Sequence, residues 1–247
     1  MKLADIGQIK IQTNRSAFHS SNGFLPYLKT ESNEIICGYD RIVGYLKREG
    51  YTIDESDKTE ACLNYIKQNL YPFFMYQLFG NPQNLDVSRA LLANRTPFPF
   101  NFFYPSRYVK KTEEVCQTVA GFSLEDVIDA HDTAEITLKA KKCINWMSEK
   151  LGNNEFFFNG QPSEIDATVY AYLAILLKFR LPNHSLQSHL QPCANLVKYV
   201  TNMTTKFFKE SELYESDEVK EENMKNYRIV YVDIFNYNSL KNRNTLK

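Results

Sequence analysis

The sequence predicts an α+β protein that is mostly helical, and two observations indicate this class. Runs typical of β-strands are predicted only within the first 40 residues. From about residue 57 onward, apolar residues recur at helical spacing. With 247 residues, of which 43% are hydrophobic, the chain is long enough to bury a substantial core. We therefore predict a small α+β part followed by an all-helical part.

The N-terminal part contains three strand-like runs, IKIQT (9–13), FLPYLKT (24–30) and EIICG (34–38). The residues ESN between the second and third runs suit a β-hairpin. A helix is predicted over residues 40–50, with Asp40 as its N-cap and Gly50 as its end.

The second part is predicted to hold six helices, over 57–80, 84–94, 106–120, 123–151, 163–177 and 186–208. Pro72 is expected to kink the first of them. The apolar face of this first helix consists of Leu63, Ile66, Leu70, Phe74 and Leu78. Residues 209–226 are charged and mainly acidic, which predicts a linker or a solvated tail.

Two helices begin with a capping-box pattern, in which two polar residues stand three positions apart. Ser123 and Asp126 begin the helix over 123–151. The predicted apolar face of that helix is Val127, Ala134, Leu138, Met147 and Leu151. Ser163 and Asp166 begin the helix over 163–177, which is apolar on nearly all sides and is therefore predicted to be buried on all sides.

Composition excludes several classes of function. Lysine plus arginine and aspartate plus glutamate both number 29, and this zero net charge argues against nucleic acid as the main partner. The five cysteines form no C-x-x-C pair and the four histidines show no metal spacing, so we expect reduced thiols, no metal and no cofactor. There is no apolar segment typical of a signal peptide, and the longest apolar run, YAYLAILL (170–177), is too short to span a membrane.

The segment RTPFPFNFFYPSRYVKK (95–111) is the least ordinary passage. Its prolines exclude a regular helix, and between them stand Phe98, Phe100, Phe102, Phe103 and Tyr104. Three interpretations are open. The rings fill a gap between helices, they form a surface that binds a partner, or they contact a membrane interface together with the flanking basic residues.

The order of elements resembles that of a glutathione transferase, and several passages more closely resemble the metaxins. These passages are TPFPFNFFYPSR (96–107), LGNNEFFFNGQPSEIDATVYAYLAILL (151–177) and LPNHSLQSHLQPCANLVKYV (181–200), together with the hairpin region. The resemblance covers roughly residues 9–208 and is greater to the first metaxin subfamily than to metaxin two.

The resemblance implies a glutathione-transferase-like fold in three parts. Residues 1–52 would form a partial thioredoxin-like lobe that lacks the first strand and helix, and residues 57–208 the all-helical lobe. Residues 209–247 would form an acidic linker and a polar tail. The family also implies a cis peptide bond before Pro26 and a helix-capping role for Ser163 and Asp166.

The resemblance implies binding rather than catalysis. The strand that carries the thiol-activating residue of the transferases is missing, and Gly38-Tyr39 stands where they place a Gln/Glu-Ser pair. We expect a non-enzymatic subunit of the mitochondrial outer-membrane sorting and assembly machinery, on the cytosolic face. Metaxin two, the β-barrel assembly subunit and precursor proteins would be its partners. The alternatives are a divergent glutathione transferase and an adaptor that links mitochondria to motor proteins.

Overall fold

In the computed structural model, the N-terminal part is a two-stranded hairpin followed by one helix. The structure describes residues 20–21, 23–24, 26–51, 57–96, 98–124, 130–158 and 160–208, so the predicted strand IKIQT lies outside the described residues. Strands β1 (Tyr27–Lys29) and β2 (Ile35–Cys37) pair antiparallel, with Leu28 opposite Ile36. The predicted hairpin is confirmed. Asn33 adopts a φ of 62° in the turn, a left-handed conformation that asparagine tolerates better than most residues.

Helix α1 (Tyr39–Arg48) follows directly, but Asp40 is not its cap. The N-cap position is Gly38, at φ 90°, and it makes no side-chain hydrogen bond to the helix. Asp40 lies in the first turn, where its carboxylate suits the positive end of the helix and pairs with Lys67 Nζ at 3.0 Å. The apolar side of α1 packs on the hairpin and forms a small core of Ile36, Ile42 and Leu46.

The rest of the described chain is helical and shares one large core. Its elements are α2 (Asp57–Asn69), α3 (Tyr71–Met75), α4 (Pro82–Arg95), α5 (Tyr104–Val115), α6 (Ala130–Leu151), α7 (Glu164–Lys178), α8 (Ser185–Leu190) and α9 (Ala194–Phe207). Two π-helical turns, Tyr76–Gly80 and Cys116–Ala120, extend α3 and α5, and a 3₁₀ turn covers Phe100–Phe102. None of the helices among the described residues has both the length and the apolar character needed to cross a membrane.

The first predicted helix is interrupted near Pro72. The five apolar residues predicted for its inner face, Leu63, Ile66, Leu70, Phe74 and Leu78, are all buried, so that prediction is confirmed. The helix is interrupted at Leu70, and Pro72 lies in the first turn of α3. At that position an N–H group would have no partner within the helix, so proline loses no hydrogen bond there. The break lets α2 and α3 both contact α6.

The apolar face predicted for α6 is partly wrong. Met147 and Leu151 are buried, but Ala134 is exposed and Leu138 is 52% exposed. The buried face instead consists of Ile136, Ala140, Cys143, Ile144, Met147 and Leu151. Leu138 stands two positions after Ile136, about 200° around the helix, and therefore points away from the core. Asp126 and Val127 lie outside the described residues.

Helix α7 is central, whereas the last predicted helix is divided into two. No residue of α7 is exposed and seven are buried, but one side, which includes Thr168, Ala171 and Ile175, is only partly buried. The prediction that this helix is buried on all sides is therefore confirmed only in part. The predicted helix over 186–208 ends at Leu190 and resumes at Ala194. Pro192 stands in the break, where its ring prevents the helical hydrogen bond to the preceding turn.

Candidate functional site

The segment between α4 and α5 presents four phenylalanines on a short turn. Thr96 closes α4 by donating its hydroxyl to the Leu92 carbonyl oxygen at 2.8 Å. The Phe98–Pro99 peptide bond is cis, and Pro97 lies outside the described residues. The N–H of Phe103 donates to the Phe100 carbonyl oxygen at 3.1 Å, which closes the 3₁₀ turn from which α5 begins.

The four phenylalanine side chains of this turn face solvent, and we call them the phenylalanine surface. Phe98 is 79% exposed, Phe100 42%, Phe102 67% and Phe103 69%. Phe98 and Phe102 contact each other edge to face, with ring centroids 6.0 Å apart. The interpretation that these rings fill a gap between helices is therefore wrong, because their apolar area remains in water.

Tyr104 was grouped with these phenylalanines from the sequence, but it packs inward. It is partly buried, and its ring contacts Tyr108 at a centroid distance of 5.6 Å. Tyr108 also contacts Phe79 at 5.0 Å and Phe24 at 5.2 Å. Burial raises the pKa of both phenols above the usual range for tyrosine. The rings of Phe24, Phe79, Tyr104 and Tyr108 thus pack together at the beginning of α5.

Basic residues follow the phenylalanine surface in the sequence. Arg107 and Lys110 are exposed on the first two turns of α5, and the Arg107 guanidinium lies 5.3 Å from the centre of the Phe24 ring. Lys111 pairs with Glu114 at 3.2 Å. Between Asp86 and Glu113 the sequence contains no carboxylate. It does contain five cations, Arg89, Arg95, Arg107, Lys110 and Lys111.

The Ser163–Asp166 pair lies elsewhere, at the start of α7. The Asp166 carboxylate accepts hydrogen bonds from the Ser163 N–H at 2.9 Å and from the Ser163 hydroxyl at 2.7 Å. It also accepts from the Phe157 N–H at 3.0 Å and the Tyr199 hydroxyl at 3.1 Å. Burial raises the pKa of Asp166, and these four hydrogen bonds act against that rise. The arrangement joins a loop, α7 and α9, so its role here is structural.

Tyr39, in the Gly38-Tyr39 pair that replaces the transferase glutathione-binding residues, faces α7. Its hydroxyl donates to Glu164 Oε1 at 3.1 Å. Burial, followed by the charge of Glu164, raises the pKa of Tyr39 above its usual range. The hydroxyl is thus protonated at neutral pH and bonded across the two lobes. It is poorly suited to stabilising a thiolate, which requires a donor that points into an open site.

Three thiols of the helical lobe, those of Cys62, Cys116 and Cys143, are not activated. Burial raises the pKa of Cys62, and it raises the pKa of Cys116 and Cys143 to about 12. Such thiols stay protonated and are weak nucleophiles at neutral pH. Within the described ranges, no group of histidine, cysteine, aspartate and glutamate side chains is arranged to hold a metal ion.

Pro26 lies just before β1, and its carbonyl oxygen accepts from the Gly38 N–H at 3.2 Å. The peptide bond before Pro26 involves Leu25, which lies outside the described residues. The expected cis conformation at this position therefore stays a prediction. Sequence reasoning missed Phe24 and Tyr108, whose aromatic character was the available signal, and it missed Phe157 and Tyr199, which no short motif marks.

Two protein families match parts of the chain. The family described as "Outer mitochondrial membrane transport complex protein" matches residues 1–109. The family described as "Glutathione S-transferase, C-terminal domain" matches residues 140–203, which include α7, α8 and most of α9. The second match agrees with the buried α7 and its capping box, and it supports the glutathione-transferase-like fold.

Three named proteins are similar to the chain over a longer stretch of its sequence. The chain is 42% identical over 206 residues to "Metaxin-1 homolog" of Drosophila melanogaster, covering 81% of this chain and 63% of the relative. It is 30% identical over 207 residues to "Metaxin-1" of Mus musculus, covering 81% of this chain and 65% of the relative. It is 28% identical over 200 residues to "Metaxin-3" of Xenopus laevis, covering 76% and 63%. The chain thus spans less than two thirds of the length of these relatives, and it belongs to the metaxin family.

Proposed function

We propose that this chain is a non-enzymatic subunit of the mitochondrial outer-membrane sorting and assembly machinery. It would act in protein import and in β-barrel insertion by binding partner subunits and precursor segments. The proposed partners are a metaxin two-like protein and the membrane-embedded barrel subunit, on the cytosolic face of the outer membrane. The two lobes, over 1–52 and 57–208, would form one scaffold.

The observation that carries this proposal is the match of residues 1–109 to the family described as "Outer mitochondrial membrane transport complex protein". The exposed phenylalanine surface supports it as a place of contact at the membrane. Four large apolar side chains side by side are unusual on a surface that serves no contact. The chemistry of the thiols and of Tyr39 supports the non-enzymatic part of the proposal, because protonated thiols and an engaged hydroxyl do not activate glutathione.

Co-purification tests the proposal. The tagged chain is expressed in cells of its source and recovered from mitochondria solubilised in mild detergent. We expect a metaxin two-like protein and the barrel subunit in the eluate. Recovery of neither would refute the proposal.

A conjugation assay tests the enzymatic alternative. The purified chain is supplied with glutathione and an electrophilic aromatic substrate, and we expect no rate above the uncatalysed reaction. Conjugation that disappears in Tyr39→Phe, but persists in the matched variant Tyr27→Phe in β1, would establish a divergent transferase instead.

A further inference from the structure

We propose that the phenylalanine surface inserts into the interface of an anionic lipid bilayer, with Lys110 of α5 at the headgroups. The inference rests on the proposed function in one respect, namely that the proposed function places the chain at a membrane. The physical argument depends on the side chains themselves. It concerns Phe98, Phe100, Phe102 and Phe103 and the cation Lys110.

The first step of the argument is the chemistry of the exposed side chains. All four are phenylalanines, which carry no polar atom, so none of them gains a hydrogen bond by facing water. Phe98, Phe102 and Phe103 are each at least 67% exposed. Apolar rings of this kind lose contact with water when they enter the boundary between headgroups and acyl chains.

The second step is the charge beside the rings. Lys110 stands six residues after Tyr104 on α5, about 9 Å along the helix axis. The guanidinium of Arg107, between them, lies instead against the Phe24 ring, 5.3 Å from its centre. No carboxylate stands in the sequence between Asp86 and Glu113, so this stretch of the chain carries only positive charges, within a chain of zero net charge. Positive side chains are attracted to anionic lipid headgroups.

The third step is the support of the turn. The buried contacts of Tyr108 with Tyr104, Phe79 and Phe24 hold the start of α5 in place. The rings therefore extend from a packed base. A membrane-inserting turn needs such a base, because otherwise the apolar side chains would collapse onto the protein's own surface.

Membrane insertion fits these observations better than a protein partner does. A protein partner would need an apolar groove shaped for the four rings and an acidic rim at the position of α5. An anionic bilayer offers an apolar interior for the rings and negatively charged headgroups for the cation of α5. Because lipids rearrange around an inserted side chain, no groove of complementary shape is needed. Binding of the rings by a protein is therefore the competing outcome of the test.

The test is vesicle co-sedimentation of the full chain. The wild type is compared with the double variant Phe98→Ser/Phe102→Ser on phosphatidylcholine–phosphatidylglycerol vesicles. We expect the partition coefficient to fall about tenfold or more in the double variant. Leu138→Ser is the matched control, because Leu138 is 52% exposed on α6, and it should bind like the wild type. Comparison within the full chain cancels any contribution from other segments.

Charge is tested separately. Lys110→Gln should weaken binding roughly fivefold on the anionic vesicles and leave binding to pure phosphatidylcholine vesicles unchanged. Lys198→Gln, at an exposed position of α9, is the control and should have no effect. Added salt should weaken the binding of the wild type but have less effect on Lys110→Gln.

Depth is measured by fluorescence. Phe103→Trp should be quenched by lipids with brominated acyl chains, whereas Leu138→Trp should not. Equal vesicle binding by the wild type and Phe98→Ser/Phe102→Ser would overturn the inference, and so would an unquenched Phe103→Trp. If the double variant instead loses its partner proteins in detergent while vesicle binding is unchanged, a protein binds the surface and the inference is wrong. Intact partner recovery by the wild type would still leave the proposed function standing.

Discussion

At the scale of single residues, Asp166 joins three parts of the helical lobe. Its carboxylate satisfies the N–H groups of Phe157 and Ser163 and the hydroxyl of Tyr199. Because the side chain is fully buried, water cannot replace the lost acceptor.

Replacement of Asp166 by alanine should therefore be costly. We expect Asp166→Ala to lower the free energy of unfolding by about 3 kcal/mol, since the N–H groups of Phe157 and Ser163 and the Ser163 hydroxyl lose their acceptor. The Tyr199 hydroxyl still donates to the backbone carbonyl oxygen of residue 166, at 2.9 Å. Ser163→Ala is the graded control and should cost about 1 kcal/mol, because it removes a capping hydroxyl and leaves the carboxylate in place. Denaturant unfolding measures both, and equal losses for the two variants would contradict the assigned role.

Lys178 gives a prediction about pH. Burial at the end of α7 lowers the pKa of its ammonium group from 10.5 to about 8, and Nζ donates to the Thr204 hydroxyl at 3.4 Å. Between pH 8 and about 9.5 the unfolded chain thus binds more protons at this lysine than the folded chain does. Stability therefore gains a contribution that increases with pH across this range.

Lys178→Met removes this contribution. We expect its stability between pH 8 and 9.5 to rise less with pH than that of the wild type. Tyrosines and the buried thiols also contribute to the pH dependence in this range, but they do so equally in both proteins, so the difference in slope reports on Lys178. Lys198→Met, at an exposed position of α9, should keep the wild-type slope. Urea unfolding at several pH values measures the difference, and identical slopes for the wild type and Lys178→Met would contradict the prediction.

At the scale of elements, the sequence predicted α7 well and α6 less well. Helix α7 is apolar at almost every position, so its burial does not depend on which side faces inward. In α6 the apolar residues occur on more than one side, and only the packing against α2, α3, α8 and α9 selects the inner face. Leu138 therefore looked like a core residue although it faces solvent.

The same reasoning explains the phenylalanine surface. Hydrophobicity predicts burial only where another element of the chain covers the residue, and at Phe98 and Phe102 no such cover is present among the described residues. A short apolar turn gives no periodicity from which its orientation could be predicted. By contrast, the break between α8 and α9 was available from Pro192, because proline rarely continues a helix interior.

The corrected face of α6 makes a prediction at this scale. Ile144→Ala should lower the free energy of unfolding by about 2–5 kcal/mol, because Ile144 is fully buried and its loss leaves a cavity. Leu138→Ala should change it by less than about 0.5 kcal/mol. Both variants remove aliphatic atoms from one helix, so the pair isolates burial from helix propensity. Similar losses in thermal or denaturant unfolding would show that the face is assigned incorrectly.

At the scale of the whole molecule, the two cores are of unequal size. The hairpin and α1 bury Ile36, Ile42 and Leu46, whereas one continuous cluster runs through the helical lobe. Two polar contacts between the lobes join α1 to its neighbours, Asp40 with Lys67 and Tyr39 with Glu164. The Asp40–Lys67 ion pair lies at exposed side chains and contributes little to stability, and the Tyr39–Glu164 contact is a single hydrogen bond.

The small lobe should consequently open before the helical lobe unfolds. In native-state hydrogen exchange, we expect the amides of β2 and α1 to exchange faster than those of α6 and α7, since few buried apolar contacts oppose their local opening. Ile42→Ala should increase exchange in β2 and α1 and leave α6 and α7 at wild-type protection. Leu173→Ala, at a fully buried site of α7, should lower protection throughout the helical lobe. If Ile42→Ala lowered protection in α6 and α7 as much as in α1, the two lobes would unfold as one cooperative unit, and their unequal cores would not determine the order of unfolding.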